Sequence, residues 1–389
     1  MKKLKLAIVN NFLPPYRASL FEDFMKDPEF DTRVYILGTR RHTRQIWARD
    51  AQRTESRVIH LKGIGIKIRE RSSERIFFNP DFSRIAHWNP DVVLMYGYQD
   101  VTMWILALVC RLRRIPYILV ADITAEGGNT MSGRLSLPLV RMIVANASHL
   151  IPSSRTCCDF LTANGGNPMN CTIMPIIPDR NLVNASFRLK SNREIIRHEL
   201  QLTARIVVIF VGRLTEDKGI RELTKAIETC TVANHDLMFL FIGEGPMRTY
   251  VKEFCSEHPD TTRFFGQVDD FTLHRLYAAA DIHVMPSHAE AFGVVCSEAQ
   301  VFGVPSIVTK NSGCADLVVD GVNGILIDPR SSSSLADAIN MLAFDSDRLE
   351  TMKRDTSKAA LSLVSEDIHG RMKNVLQRVV LDEPRQRGI

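Results

Sequence analysis

Residues 208–219 read VIFVGRLTEDKG, an apolar β-branched run that breaks at Gly212 and opens a helix near Gly219. The run Arg205–Val211 shows no apolar–polar alternation, so it fits a strand covered on both faces, as in a parallel sheet. Gly212 permits a tight exit from that strand. The same order returns at residues 239–247, FLFIGEGPM, where a buried run meets a glycine turn and a helix start.

Working outward, short β-branched runs alternate with helical stretches along the chain. Strands are expected at Leu6–Val9, Thr32–Leu37, Val92–Met95, Tyr117–Ala121 and His149–Pro152. A second set is expected at Arg205–Val211, Met238–Gly243, Ile282–Pro286, Ser306–Thr309 and Gly324–Ile327. Helices are expected between them, among them Ala18–Lys26, Met103–Arg113, Gly219–Thr229, Met247–Glu257 and Ser333–Ala343. Such alternation means βαβ units and doubly wound sheets. The pattern restarts once, after the turn-rich Asn164-Gly-Gly-Asn-Pro and Met174-Pro-Ile-Ile-Pro, so residues 171–190 read as the crossing between domains. The expected fold is α/β, with two Rossmann-like domains over residues 1–172 and 173–365 facing across a central cleft. Residues 366–389 are expected to form a helix packing back towards the first domain. Ligands of doubly wound sheets sit at the carboxyl ends of the strands.

Composition narrows the class. The chain has 389 residues, 45% of them hydrophobic, with 49 Lys+Arg against 44 Asp+Glu. That balance excludes a disordered chain, a collagen-like repeat and a disulfide-stapled miniprotein. No apolar run approaches the roughly 20 residues that cross a bilayer. The apolar stretch Leu6–Val9 is too short for a signal peptide, so a cytoplasmic protein is expected. Eight cysteines lie scattered with no CxxC spacing, which reads as buried free thiols. Residues 32–75 hold 12 Lys/Arg against four acids, a local +8 (12 − 4). A field of that size attracts phosphorylated substrates, acidic lipid headgroups or nucleic acid, and reads equally as a solvated basic face.

Three constellations carry chemistry. In the first, Arg213 and Lys218 follow a strand end and precede a helix N-terminus. Arg offers a forked contact and Lys a compact charge there, a setting suited to a diphosphate. The alternative is two surface cations paired with Glu216 and Asp217. In the second, the Gly243 turn resembles a phosphate loop without the full G-x-G-x-x-G pattern, and a tight βα connection explains it as well. The third, residues 286–299, reads PSHAEAFGVVCSEA. If a helix starts near Gly293, its free N–H groups face the cleft. Glu298 then lies on the second turn and Glu290 in the loop before it. One carboxylate can accept from sugar hydroxyls and the other from ribose. Asp345-Ser-Asp347 has a metal-transferase spacing but reads better as a helix cap. The eleven histidines show no ligand spacing, and His288 stands two residues before Glu290.

Taken together, GRLTEDKG, FIGEGP, FFGQV, LYAAADIHVMPS, E-x7-E between Glu290 and Glu298, FGVPSIV and DGVNGILIDP resemble glycosyltransferase family 4 of the GT-B enzymes. The match runs in order over residues 205–330. It is fainter in NFLPPYR and DVVLMYGYQD of the first half, where Phe12-Leu-Pro-Pro-Tyr-Arg17 replaces the usual glycine-rich loop. The resemblance implies a retaining transferase that needs no metal or other cofactor and takes a nucleotide diphosphate sugar as donor. By position, Gly212, Arg213, Lys218 and Gly243 would border the diphosphate. Glu290 would meet the transferred sugar, with Glu290, Arg213 and Lys218 the catalytic group, and Glu298 would meet the ribose. Amides around Phe292, Gly293, Val294 and Val295 would cradle sugar and phosphate, and Val268 would border the base.

The first domain is implied to bind the acceptor. Where many relatives carry a histidine this chain reads Ala121-Asp-Ile-Thr-Ala-Glu126, so Asp122, Glu126 and Arg17 are acceptor-side candidates, each also readable as a cap or surface charge. The function expected is transfer of a hexose-type unit to a glycan or lipid-linked glycan in cell-surface polysaccharide synthesis. Alternatives are another nucleotide-sugar enzyme (an epimerase or hydrolase) and a nucleotide-sugar-binding protein without chemistry. An anionic membrane surface is a further expected partner, from the basic stretch and the amphipathic Met103–Arg113; a core helix beside solvated charge explains both equally well. Nucleic acid is not expected, since no stacked aromatics or recognition motif accompany the charge.

Overall fold

The computed structural model describes residues 3–37, 57–67, 75–123, 131–178, 180–233 and 236–382. The chain divides into two compact units, Met1–Pro175 with Asp367–Ile389, and Ile176–Glu366.

The first unit runs β1 (Leu4–Asn10), α1 (Pro15–Lys26), β2 (Phe30–Ile36), β3 (Val58–His60), a hairpin β4 (Ile64–Lys67) and β5 (Arg75–Phe78), and α2 (Ser83–Trp88). It continues β6 (Val92–Tyr96), α3 (Val101–Leu112), β7 (Tyr117–Ala121), α4 (Met131–Ala145), β8 (His149–Pro152) and α5 (Arg155–Ala163). Its parallel sheet has the order β3-β2-β1-β6-β7-β8, and the chain direction switches between β1 and β6. Period-two alternation splits the strands between two cores. Ala7, Val9, Val93 and Met95 face one layer, while Leu6, Ile8, Val92 and Leu94 face the layer that holds Phe21 and Phe24 of α1.

The second unit runs α6 (Arg180–Lys190), α7 (Arg193–Glu199), β9 (Ile206–Val211), α8 (Ile220–Ala233), β10 (Leu237–Ile242), α9 (Arg248–Glu257), β11 (Thr262–Gly266) and α10 (Asp270–Ala279). Then come β12 (Ile282–Met285), α11 (Val294–Val301), β13 (Ser306–Thr309), β14 (Gly324–Ile327), α12 (Ser332–Phe344) and α13 (Ser346–Ser365). The sheet repeats the plan of the first, β11-β10-β9-β12-β13-β14, all parallel, with its switch between β9 and β12. Val208, Phe210, Phe239 and Phe241 fill one face, and Val207, Ile209, Leu240 and Ile242 the other. At the opposite end of β12, buried Asp281 accepts from Arg193 (2.6 Å), Arg197 (3.1 Å), Lys353 (2.6 Å) and the Val207 amide (2.9 Å).

The chain then returns to the first unit in α14 (Ile368–Asp382), whose Met372, Val375, Leu376 and Val379 complete the core behind α1. Lys373 fixes it to Asp27 (3.0 Å) and Glu29 (2.6 Å).

Each strand expected from the sequence is present, with ends displaced by no more than two residues. Four further strands, β3, β4, β5 and β11, were not expected, since none has more than three adjacent apolar residues; β11 is an edge strand with three half-buried residues in its middle. Helix α8 begins at Ile220 because Gly219 holds φ +69°, outside the helical region. Residues from Arg180 on in the expected crossing are helix α6. Asp345 caps α13, accepting from the Arg348 amide at 2.9 Å. All eight cysteines are free, but Cys158, Cys171 and Cys255 are only half-buried, not buried as expected.

Candidate functional site

The second unit gathers its charged groups where the chain leaves β9, β10 and β12 side by side. Gly243 leaves β10 at φ +136°, and a Cβ there would lie 1.8 Å from the Gly212 carbonyl oxygen. Only glycine lets these two backbones pass so closely. A Cβ on Gly219 would lie 2.1 Å from the Pro286 carbonyl oxygen, so the 3-10 turn Glu216–Lys218 is pressed onto the loop that follows β12. That approach brings together two residues 72 positions apart: the Lys218 ammonium donates to the Glu290 carboxylate. Both side chains are largely enclosed, at 17% and 18% exposure.

The loop between β12 and α11 is held from three sides. The His288 amide donates to the Asp217 carbonyl (2.8 Å), and Asn311 donates to the His288 carbonyl (2.5 Å). The His288 ring meets Glu222 of α8 at 3.0 Å. Beyond Glu290, whose carbonyl accepts from the Gly313 amide (2.9 Å), Gly293 caps α11 at φ +91°. No side chain caps this helix, so the first-turn amides at Val294 and Val295 are left as donors carrying the positive end of the helix dipole.

Glu298 lies one turn along α11 and has a different partner. The buried Tyr277 hydroxyl, from α10, donates to it at 3.0 Å. The side chain keeps partial exposure, but its carboxyl is enclosed. Burial pushes that carboxyl up to about 7, with Asp270 adding to the shift and the Tyr277 hydrogen bond opposing it. Arg213 is exposed and makes no side-chain hydrogen bond or ion pair among the described residues; Glu216 pairs with Arg221 (2.9 Å) instead. Val268 is half-buried just past β11, packed against the same core layer as Tyr277.

Lys218, Glu290 and the α11 N-terminus thus form one group, and Glu298 forms a second with Tyr277. The alternative reading, in which Lys218 pairs with Glu216 or Asp217 at the surface, is not what the Lys218–Glu290 contact shows. Tyr277 lies inside the LYAAADIHVMPS stretch but reads there as core, and nothing in local spacing points to Glu222 or Asn311. Among the described residues no group of three or more His, Cys, Asp or Glu is arranged to hold a metal ion.

In the first unit, Arg17 and Asp122 meet at 3.3 Å, and the buried Arg17 guanidinium lies over the Tyr96 ring at 4.5 Å. They flank the β1/β6 switch, where Asn10 is fully buried with neither amide atom hydrogen-bonded among the described residues. Glu126 lies outside the described residues, as does most of the basic stretch 32–75.

Residues 192–359 match the family model described as Glycosyl transferases group 1. That segment is similar to the group 1 glycosyltransferases. It contains Arg213, Lys218, Glu290 and Glu298 together. Among curated proteins, an uncharacterized glycosyltransferase, MJ1607, of Methanocaldococcus jannaschii is 34% identical over 36% of each chain. The capsular polysaccharide biosynthesis glycosyltransferase CapM of Staphylococcus aureus is 25% identical over 56% of this chain and 59% of its own. The chain thus spans about half the length of the curated relatives it matches. Among solved structures, Anabaena Alr3699/HepE in complex with UDP superposes with a TM-score of 0.75 at 20% identity, covering 97% of this chain and all of that one. Sucrose-phosphate synthase of Thermosynechococcus elongatus does so with a TM-score of 0.73 at 18% identity, covering 98% and 100%. The fold is the two-domain α/β GT-B fold.

Proposed function

We propose that the chain is a retaining glycosyltransferase that moves a hexose-type unit from a nucleotide diphosphate sugar to a glycan or lipid-linked glycan in cell-surface polysaccharide synthesis. The observation that carries this reading is the meeting of Lys218 and Glu290 beside the uncapped N-terminus of α11. A diphosphate needs cations and oriented N–H groups, and a sugar needs a fixed hydrogen-bond acceptor; both are within one loop-length here. Alr3699/HepE, with the same fold, is described with UDP and with UDP-glucose, which supports a nucleotide-sugar donor.

Breaking the anomeric C–O bond builds positive charge on the sugar and negative charge on the departing diphosphate. Lys218, Arg213 and the α11 amides stabilise the latter, and removing one such contact costs about 10²–10³ in rate. The acceptor oxygen forms its bond to the same face of the anomeric carbon, and its proton passes to the leaving phosphate oxygen. No further cofactor enters the proposed reaction, as the family resemblance implies. Glu290 positions the sugar and forms no covalent bond to it. Asp122, held by Arg17, is the acceptor-side group proposed in the first unit.

A membrane-facing acceptor is part of the proposal. Leu108 and Leu112 are exposed on α3, which carries Arg111 in its last turn and leads to Arg113 and Arg114, a combination suited to an anionic lipid surface. Flotation with anionic liposomes should show salt-sensitive association, and its absence removes this component.

The primary test is a thermal-shift panel of UDP-, GDP- and ADP-sugars, followed by nucleotide release with and without acceptor glycans. Stabilisation by one nucleotide class and acceptor-dependent release are expected. Release of nucleotide without acceptor would favour a hydrolase, interconversion of the donor an epimerase, and binding without turnover a chemically inactive protein.

A further inference from the structure

We infer that Glu290 makes the site discriminate between the intact donor and the nucleoside diphosphate left after transfer, by exchanging Lys218 for sugar hydroxyls. The inference rests on the donor reading above and goes beyond it, because it assigns a competition between Glu290 and a diphosphate for Lys218.

Lys218 and Glu290 satisfy each other, both less than one fifth exposed. Lys218 is held near this loop by the close approach of Gly219 to Pro286, and Glu290 by backbone bonding through Gly313. These contacts fix both backbones within reach of one another, so the carboxylate occupies the ammonium in the role a phosphate oxygen would take. A diphosphate entering the site must take Lys218 from Glu290. The carboxylate then stands enclosed, next to an anion, with its charge no longer balanced.

What happens next depends on the ligand. An intact nucleotide sugar brings hydroxyls that donate to the freed carboxylate, and the exchange is complete. A bare nucleoside diphosphate brings none, and the desolvated carboxylate is left unpaired beside another negative charge. A site built to hydrogen-bond a hydroxyl disfavours the analogue lacking it for this reason. The Lys218–Glu290 pair therefore weakens product binding selectively and assists nucleotide release after transfer.

The test is isothermal titration of the nucleoside diphosphate selected by the panel, and of its sugar ester, against wild type, Glu290→Gln, Glu290→Asp and Lys218→Met. Glu290→Gln removes the competing charge while keeping size and hydrogen-bonding capacity. It should tighten the bare nucleotide about tenfold, corresponding to one charged hydrogen bond, while the sugar ester binds no tighter than before. Glu290→Asp keeps the charge and should leave the bare nucleotide weak, which separates charge from a change of fold. Lys218→Met should weaken both ligands. Should Lys218→Met weaken both while Glu290→Gln fails to tighten the bare nucleotide, the exchange is overturned and the donor site stands. Unchanged binding of both ligands in Lys218→Met would overturn the donor site itself.

Discussion

At the scale of single residues, Glu298 gives the sharpest pH signature. Its carboxyl is raised to about 7 from an ordinary value of 4.5, chiefly by burial. A raised acid contributes stability that is complete below the unfolded value and is lost as pH climbs from 4.5 to 7. Ribose hydroxyls donate best to the ionised carboxylate, so nucleotide binding near neutral pH should expel a proton. Titrations at pH about 6.5 in buffers of different ionisation heat should therefore give different binding heats, and at pH about 9 the same heat. Glu298→Gln should abolish the difference; buffer-independent heats at both pH values in wild type would show that no ligand hydroxyl reaches Glu298. The residue types of this site were legible because Arg213, Lys218, Glu290 and Glu298 each sit at a strand exit or helix start. Their partners were not. The Lys218–Glu290 and Tyr277–Glu298 contacts join separate elements, and nothing in local spacing reports which loops the sheet order brings side by side.

Among elements, the second sheet is tied at its far end by Asp281, to which Arg193 of α7, Arg197 of α7 and Lys353 of α13 converge. Burial alone would raise this carboxyl, but Arg193 and Lys353 hold it below its ordinary value. Asp281→Asn keeps the shape but leaves two enclosed guanidinium groups and an ammonium without their common anion. A loss of about 3–5 kcal/mol is expected, the usual consequence of breaking a buried charge network from one side. Denaturant unfolding followed by circular dichroism measures it, and a loss within about 0.5 kcal/mol would mean that the three cations find other acceptors. This tie was invisible in the sequence, where Asp281 reads only as a polar residue before an apolar strand. The central strands were readable because burial on both faces removes alternation from their sequence. The edge strand β11 was not, since Thr262 and Arg263 bond carbonyl groups as a loop's residues would.

For the whole molecule, chain order and structural membership part company at the C-terminus. Helix α14 follows the second unit in sequence yet completes the first, inserting Met372, Val375, Leu376 and Val379 behind β1, β2 and α1. Each such side chain contributes about 1.5–3 kcal/mol when buried. Lys373 and Gln377 add contacts to Asp27 and Glu29 at the start of β2. Placing a stop after Glu366 therefore removes part of the core from a unit whose last strand ended more than 200 residues earlier. Calorimetry of this shortened chain should show the transition of the first unit lowered or lost. The transition of the second unit should remain, and the nucleotide selected by the panel should still raise it, because every proposed donor group lies within Ile176–Glu366. If the shortened chain lost nucleotide-dependent stabilisation while keeping a cooperative second transition, donor binding would require groups from the first unit, and a site confined to the second would be wrong.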